Sequence, residues 1–447
     1  MHHNFEQYAD TAFSVHQAAL EHPSAIALVD SGKSVTFGEL DSLVQNRRKS
    51  LCRPAQGRPY VLVGKNTLDV FITLYALLEE KIPFLLLHPT LTEHEKEEQL
   101  AQIRTVSDPI PEGVAAVLMT SGTTGKAKPA MLTRAALAAS AWSSAQNIEL
   151  STKDAWLMSL SVSRIGGLSI LTRSLAARSR VVLFPHFCAR EFIRALKENT
   201  VTLASIVPTM LSKLLEEFPD FKPEKSLRAI LLGGSSAGES LLNRAKTQGI
   251  PIMTTYGMTE TASNVATSAY SERLTLGAKA RANTLAELSV RNGTLHVRGP
   301  MRMAGYWGHP LLDNDAWFDT GDIASLDKDG SLTIYARRTD LIVTGGENVY
   351  PAEVENVLTR ITGVREALVL GLPDKTWGAV VTALLVAQAE PLPEKTLKEA
   401  LVEKLAPYKR PRRIVWVKHL PVNSAGKLNR NPDVLTGLTL TTLHYTR

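Results

Sequence analysis

"VAAVLMTSGTTGKAKPAM", residues 114–131, is an apolar run that breaks into six consecutive Thr, Ser and Gly residues before two lysines. An ordinary surface turn needs one or two small residues. A longer run of this kind suits a phosphate cradle. Glycines let backbone N–H groups approach an anion, hydroxyls donate to phosphate oxygens, and Lys126 or Lys128 supplies charge. A flexible turn has the same composition, so companion segments have to decide. Two exist. "LRAILLGGSSAGES" runs from an apolar segment into Gly233, Gly234, Ser235 and Ser236, and "IPIMTTYGMTETAS" into Tyr256, Gly257, Met258, Thr259 and Glu260. Ligands of open α/β sheets sit beyond the carboxyl ends of strands, so three such loops predict one pocket.

Working outward, strand-like runs such as "AIALVD", "YVLVGK" and "RVVLF" alternate with helix-period stretches such as Thr67–Glu80 and Arg190–Glu198. The expected fold class is α/β: a large N-terminal domain with mixed and parallel sheets and helices, followed by a small mobile α+β domain. The second region begins near residue 340, where "DLIVTGGENVYPAEVENVLTRITG" reads as strand, Gly turn and short helix. Pro351 falls in the helix's first turn and Gly363 is expected just past its end. Val354, Val357, Leu358 and Ile361 mark its buried face. The expected division is 1–336 as the ATP- and acid-binding domain, 337–340 as hinge and 341–447 as lid.

The first loop is not a Walker A sequence, because Ala127 follows Lys126 where Ser or Thr is needed, and no GxGxxG opens a helix. At 447 residues with 44% hydrophobic and 21% charged content, the chain is an ordinary globular one with two or three domains. No apolar run approaches the roughly 20 residues of a membrane span. The opening "MHHNFEQYADTAF" resembles neither a secretory signal nor a transit sequence. Cys52 and Cys188 lack metal-ligand spacing, so a reducing cytoplasm is expected. The net charge of +6 concentrates in "YKRPRRIVWVK", residues 408–418, which lacks the aromatic interleaving of a single-strand platform and reads as a solvated basic face.

"TSGTTGKAK", "YGMTET", "WFDTGD", "ARRTDLIVTGGENVYPAEVE" and "NSAGKLNR" stand in the order and spacing of the adenylate-forming superfamily, which the chain resembles over about residues 20–430. This superfamily contains the acyl- and aryl-CoA synthetases, luciferase and peptide-synthetase adenylation domains. The resemblance implies a two-step ligase. A carboxylate attacks the α-phosphate of ATP to give acyl-AMP and pyrophosphate, and a thiol then displaces AMP. The cofactors implied are ATP, Mg²⁺ and CoA. Since an anion meets a polyanion in the first step, charge must be neutralised on both.

Position by position, the resemblance places Thr120, Ser121, Gly122, Thr123, Thr124, Gly125 and Lys128 over the β- and γ-phosphates. Ala127 and Pro129 depart from the usual Pro before and Gly after the second lysine, and Pro129 is expected to stiffen the far side of the loop. Gly233, Gly234, Ser235, Gly257 and Met258 border the nucleotide, and Tyr256 packs on adenine. Thr259 contacts phosphate, and Glu260 is the Mg²⁺ ligand. Asp322 and Arg337 hold the ribose, with Ala336 in place of the usual Gly, and Thr339 takes the hinge position. Lys427 is the catalytic cation. On the implied domain swing it leaves the site, and Gly345 and Gly346 come to line the CoA tunnel.

The acid pocket is marked by Arg164, Gly166, Gly167 and again Ser235; Ser163 and Arg164 stand where many relatives have an aromatic–His pair. A buried arginine there suits a second substrate carboxylate or, equally, a protein acid. "RIGGLSILTRSL" and "GGENVYPAEVE" most resemble the o-succinylbenzoate–CoA ligases of menaquinone biosynthesis, whose substrate is an aromatic keto diacid. Another acid, or a carrier protein's phosphopantetheine as acceptor, remains open. So does a silent nucleotide-binding relative. Expected partners are small molecules, without nucleic acid or membrane, and the oligomeric state, a homodimer included, is left open.

Overall fold

The computed structural model describes residues 4–120, 127–198, 200–235, 237–313, 315–344, 347–374, 377–423 and 427–445. The chain divides into two compact units. The first comprises Met1–Gly234, Ala245–Leu288 and Val297–Phe318, and the second Ser235–Arg244, Ser289–His296 and Asp319–Arg447. The residues expected to form a hinge, 337–340, thus lie inside the second unit.

In the first unit the described residues form two sheets. One has nine strands, of which Ile252–Met258, Ala229–Leu232, Leu203–Ile206, Ala155–Met158, Arg180–Leu183 and Ile26–Asp30 run parallel in that spatial order. Those buried strands read as near-continuous apolar runs because both faces are covered. The other sheet has five strands, ordered Gly305–Tyr306, Lys128–Thr133, Val114–Thr120, Phe84–Leu87 and Tyr60–Val63. The three small-residue loops therefore leave two sheets, not one.

The strand Val114–Thr120 is buried throughout and pairs antiparallel with Lys128–Thr133, Thr120 lying opposite Lys128. "TSGTTG" is thus the connection of a β-hairpin, not of a strand to a helix. Ser121, Gly122, Thr123, Thr124, Gly125 and Lys126 themselves lie outside the described residues. Pro129 stands opposite Met119, and its carbonyl accepts from the Trp307 N–H at 2.8 Å. No described helix is long and apolar enough to cross a membrane.

In the second unit Val364–Asp374 and Gly378–Ala387 form a long antiparallel pair, flanked by Ile342–Thr344 and by Arg413–Trp416. The helices Pro351–Leu358 and Glu394–Lys404 cover one face, with Val354, Leu358, Ile361, Leu397 and Leu401 in a common core. Pro351 opens its helix as expected. Gly363 does not close it: two further turns follow Leu358, and Gly363 (φ +101°) is required where a Cβ would press on Leu392.

The helix Ile165–Ala176 carries the segment expected to hold the acid, and close packing fixes its start. A Cβ on Gly167 would lie 2.1 Å from the Ser161 carbonyl oxygen. Because backbone cannot yield as a side-chain tip does, Gly167→Ala is expected to cost about 1–3 kcal/mol, measured as a lowered denaturation midpoint.

Candidate active site

At the end of the phosphate hairpin, Thr120 is buried and its hydroxyl donates to the Lys128 carbonyl at 3.2 Å. Lys128 then projects its ammonium over the Tyr306 ring, 5.3 Å from the centroid. Tyr306 is held there because Gly305–Tyr306 pairs with Met131 and Ala130 of the same strand. Its hydroxyl donates to Oε1 of Glu260 at 2.8 Å, and the Glu260 carbonyl accepts from Met303 N–H. Glu260 is only 8% exposed, so this bond meets part of the desolvation demand of a buried carboxylate. Thr120, Lys128 and Glu260 were singled out by sequence; Tyr306, which links them, was not. Nothing in "MAGYWG" announces that its tyrosine will meet an acid brought from a different sheet.

The two companion loops depend on close backbone approach. Strands Ala229–Leu232 and Ile252–Met258 are neighbours, and a Cβ on Gly233 would lie 2.3 Å from the Thr255 hydroxyl. One on Gly257 would lie 2.0 Å from the Ser263 carbonyl oxygen. Gly234 adopts φ +86°. Tyr256 is half-buried, Met258 buried, and Thr259 begins a short 3₁₀ turn ending at Thr261. Directly after it, Ala262 (φ +47°) and Ser263 (φ +105°) hold left-handed backbone that non-glycine residues rarely adopt. The Ser235 hydroxyl is buried without a hydrogen-bond partner among the described residues.

Arg164 is the N-cap residue of Ile165–Ala176 and helps line a small cavity with Leu86, His88, Gln99, Met119 and Ser163. Among the described residues, no acidic side chain lines this cavity. The Arg164 guanidinium donates to the Met119 carbonyl at 3.4 Å, and burial lowers its pKa. Gly166 and Gly167 pack closely on Leu160 and Ser161 and so bring the helix start up to this wall. His88 was not singled out by sequence. It follows the buried strand Phe84–Leu87, its Nδ1 lies 2.7 Å from the Thr90 hydroxyl, and burial and then Arg164 push its pKa down to about 4. The imidazole is neutral at physiological pH.

In the second unit Asp322 and Arg337 are direct cross-strand partners, joined Oδ1 to Nε at 2.8 Å. Asp322 is 4% exposed, and its N–H donates to the Thr320 hydroxyl, which in turn donates to the Leu295 carbonyl. Thr339 follows two residues later, its hydroxyl 3.3 Å from Asp340 Oδ1. Burial raises the Asp340 pKa, and Arg430 partly offsets the rise.

Lys427 is exposed on a second hairpin of this unit, with Val422 bridged to Leu428. Its carbonyl accepts from the Asn423 N–H, and its own N–H donates to Asn423 Oδ1. Gly345 and Gly346 lie outside the described residues; the flanking strands pair Thr344 with Glu347 on one side and with Gly378 on the other. Next to Gly378, the ring of Trp377 is 39% exposed with the Arg412 guanidinium 4.2 Å from its centroid. Several basic side chains of the stretch 408–418 are engaged. Besides Arg412 on Trp377, Lys409 pairs with Glu353 and Arg410 donates to the Leu405 and Val402 carbonyls.

Comparison with known proteins identifies the class as the adenylate-forming enzymes. The AMP-binding enzyme family matches residues 96–307, and the AMP-binding enzyme C-terminal domain matches residues 353–427. The 2-succinylbenzoate–CoA ligase of Bacillus licheniformis is 42% identical over 72% of this chain and 70% of its own. That of Listeria monocytogenes is 33% identical over 92% of this chain and 96% of its own. The o-succinylbenzoate CoA synthetase (MenE) of Bacillus subtilis in complex with the acyl-adenylate OSB-AMP superposes with a TM-score of 0.81 at 32% identity, covering 94% and 97% of the two chains. Its complex with ATP and magnesium gives 0.80, also at 32% identity, over 94% and 98%. The chain belongs to the AMP-binding enzyme family.

His88 sets a pH dependence. Below about 6.5 the unfolded chain binds a proton there that the folded chain refuses until about 4, so stability falls as pH drops through that window. His88→Gln is expected to flatten the decline between those two values, read as the difference between the thermal midpoints of variant and wild type across pH.

Proposed function

We propose that the protein is an AMP-forming 2-succinylbenzoate–CoA ligase. In the first half-reaction a substrate carboxylate oxygen bonds to the α-phosphorus of ATP and pyrophosphate leaves. In the second, the thiol of CoA bonds to the acyl carbon, AMP leaves with the oxygen pair, and the thiol proton is released. The observation that carries this reading is the likeness, along nearly the whole chain, to an enzyme whose structure holds the acyl-adenylate of that acid. A reaction that consumes ATP and CoA belongs in the cytoplasm.

The first unit meets the triphosphate. Residues 120–125 and Lys128 face the β- and γ-phosphates, and the Tyr306 ring steadies the lysine without neutralising it. Magnesium suits the Glu260 site. A hard carboxylate oxygen is oriented there by a hydroxyl, and few protein oxygens are needed where phosphates and waters complete the shell. When bound, the ion draws charge from the phosphate oxygens. Tyr256 packs on adenine beside the thin backbone of Gly233, Gly234 and Gly257, while Ser235 and Thr259 donate to the reacting groups.

The second unit contributes the ribose pair: Asp322 accepts from the hydroxyls while Arg337 holds its other side. Lys427 supplies the cation that bridges carboxylate and α-phosphate as charge shifts between them. Residues 1–336 hold ATP and acid, rotation about Thr339 removes Lys427 after adenylation, and Gly345 and Gly346 line the path of the pantetheine arm. The exposed Trp377–Arg412 stack at the same sheet edge suits the purine and phosphates of CoA.

Arg164 is the selector for a diacid. Its guanidinium lines the small cavity beside a histidine kept neutral, and a planar cation there suits a second substrate carboxylate.

The test is pyrophosphate release with ATP, magnesium and a panel of aromatic, fatty and dicarboxylic acids, with and without CoA. 2-Succinylbenzoate is expected to give the highest kcat/KM, and CoA to convert the product to a thioester. Silence with every acid would sink the enzyme reading. Arg164→Ala is expected to raise the KM for the diacid by on the order of tenfold or more, and that of a matching monoacid little. An equal effect on both would leave Arg164 structural. Trp377→Ala is expected to raise the KM for CoA by about tenfold, from the loss of one stacking contact, with the KM for ATP unchanged.

A further inference from the structure

The hairpin bearing Lys427 is short and exposed, yet its base is pinned by one buried side chain that the proposed chemistry does not use. Arg430 follows directly after Asn429, whose N–H closes the hairpin on the Pro421 carbonyl at 2.9 Å. The two terminal nitrogens of its guanidinium donate to both carboxylate oxygens of Glu355, on the helix Pro351–Leu358. The same Nη1 donates to the Val369 carbonyl at 2.7 Å, and the Val369 N–H donates back to Glu355 Oε1 at 2.7 Å. A third element joins. Arg430 Nε lies 3.9 Å from Asp340 Oδ2, one residue past Thr339. Both partners of the central pair are shielded, at 19% and 12% side-chain exposure, so solvent screens them little.

We infer that Arg430 is a positioning residue. It keys the base of the Lys427 hairpin to the helix Pro351–Leu358 and to the segment after Thr339, and thereby sets where the lysine ammonium is delivered. The planar fork suits this task. Two parallel bonds to one carboxylate fix direction as well as distance, which a lysine at 430 would not do. Beyond this anchor, Leu428 packs against the cluster of Leu368, Leu370 and Leu384, so the hairpin base is held on both sides while Lys427 itself is exposed. A small displacement at the base becomes a larger one at the end of a flexible four-carbon side chain. Adenylation, which needs Lys427 in place, is the step that should feel it.

This inference rests on the role proposed for Lys427, and the experiment separates the two. The adenylation rate is read by pyrophosphate–ATP exchange, and thioester formation by mixing synthetic acyl-adenylate with CoA, for the full-length protein and for Lys427→Ala, Arg430→Gln, Arg430→Lys and Glu355→Gln. Arg430→Gln is expected to lower adenylation kcat by on the order of ten- to a hundredfold, with KM for ATP and acid within about twofold and thioester formation little changed. Arg430→Lys should recover part of the loss, and Glu355→Gln should resemble Arg430→Gln. If Lys427→Ala keeps full exchange, the lysine reading fails and this inference falls with it. If Lys427→Ala loses exchange but the Arg430 and Glu355 variants slow both half-reactions alike, or neither, the positioning role alone is overturned. Should Arg430→Gln fail to fold, the same pair of rates for Arg430→Lys and Glu355→Gln decides.

Discussion

A carboxylate and a triphosphate repel each other, and a protein that joins them must present positive charge that its own acids have not already neutralised. At about 4 Å and the effective dielectric of a protein surface, each unlike pair is worth roughly 4 kcal/mol, so a misplaced acid would cancel a cation's purpose. The arrangement in the first unit answers this demand. Lys128 rests over an aromatic face, and the Arg164 guanidinium donates to a backbone carbonyl. Where an acid does appear, at Glu260, a tyrosine hydroxyl orients it without neutralising its charge. Arg337 is treated differently: it is committed to Asp322 and orients that carboxylate.

Burial then sorts the titrating groups. His88 beside Arg164 stays neutral because an apolar wall and a neighbouring cation both oppose its protonation. The two effects reinforce one another, so His88 adds no second positive charge beside Arg164 across the physiological range. Asp340 shows the opposite balance. Desolvation raises its pKa, while Arg430 and the Thr339 hydroxyl pull it down. A carboxylate so placed is tolerable only while its partners stay beside it, which ties the conformation of the segment after Thr339 to the position of Arg430.

Much of this was legible in the sequence, and the limits follow from what each signal encodes. Strands such as Val114–Thr120 and Ala229–Leu232 are apolar because both sheet faces are covered, so their positions could be read directly. Gly167, Gly233 and Gly257 read in the sequence as ligand-facing, and the structure shows that each also meets a close protein neighbour: Ser161, Thr255 and Ser263. What composition did not encode was which distant segments meet. That "TSGTTG" closes a hairpin, and that its strand belongs to a different sheet from the other two loops, depends on pairing partners chosen by tertiary packing. Tyr306 and His88 were silent for the same reason. A tyrosine between glycine and tryptophan, or a histidine before proline, carries no periodicity that points across the fold. Gly363 misled because a glycine after a helical pattern resembles a cap, whereas its φ of +101° serves a later turn against Leu392.

Arg430 joins the base of the Lys427 hairpin to three other parts of its unit. In "NSAGKLNR" the lysine draws attention because its surroundings are small and polar, while the arginine three positions on reads as one more surface charge. Burial reverses that reading. An exposed arginine would gain little from a single acid, but this one spends both terminal nitrogens on Glu355, adds a strand carbonyl and lies near Asp340. Glu355 in turn belongs to the helix that Pro351 opens, and Val369 to the central strand of the same unit. The lysine's hairpin is therefore tied to a helix and a central strand of its own unit, and through Asp340 to the segment after Thr339. A flexible cation gains direction only from the rigidity of what lies behind it, and here that rigidity is electrostatic as much as it is packing.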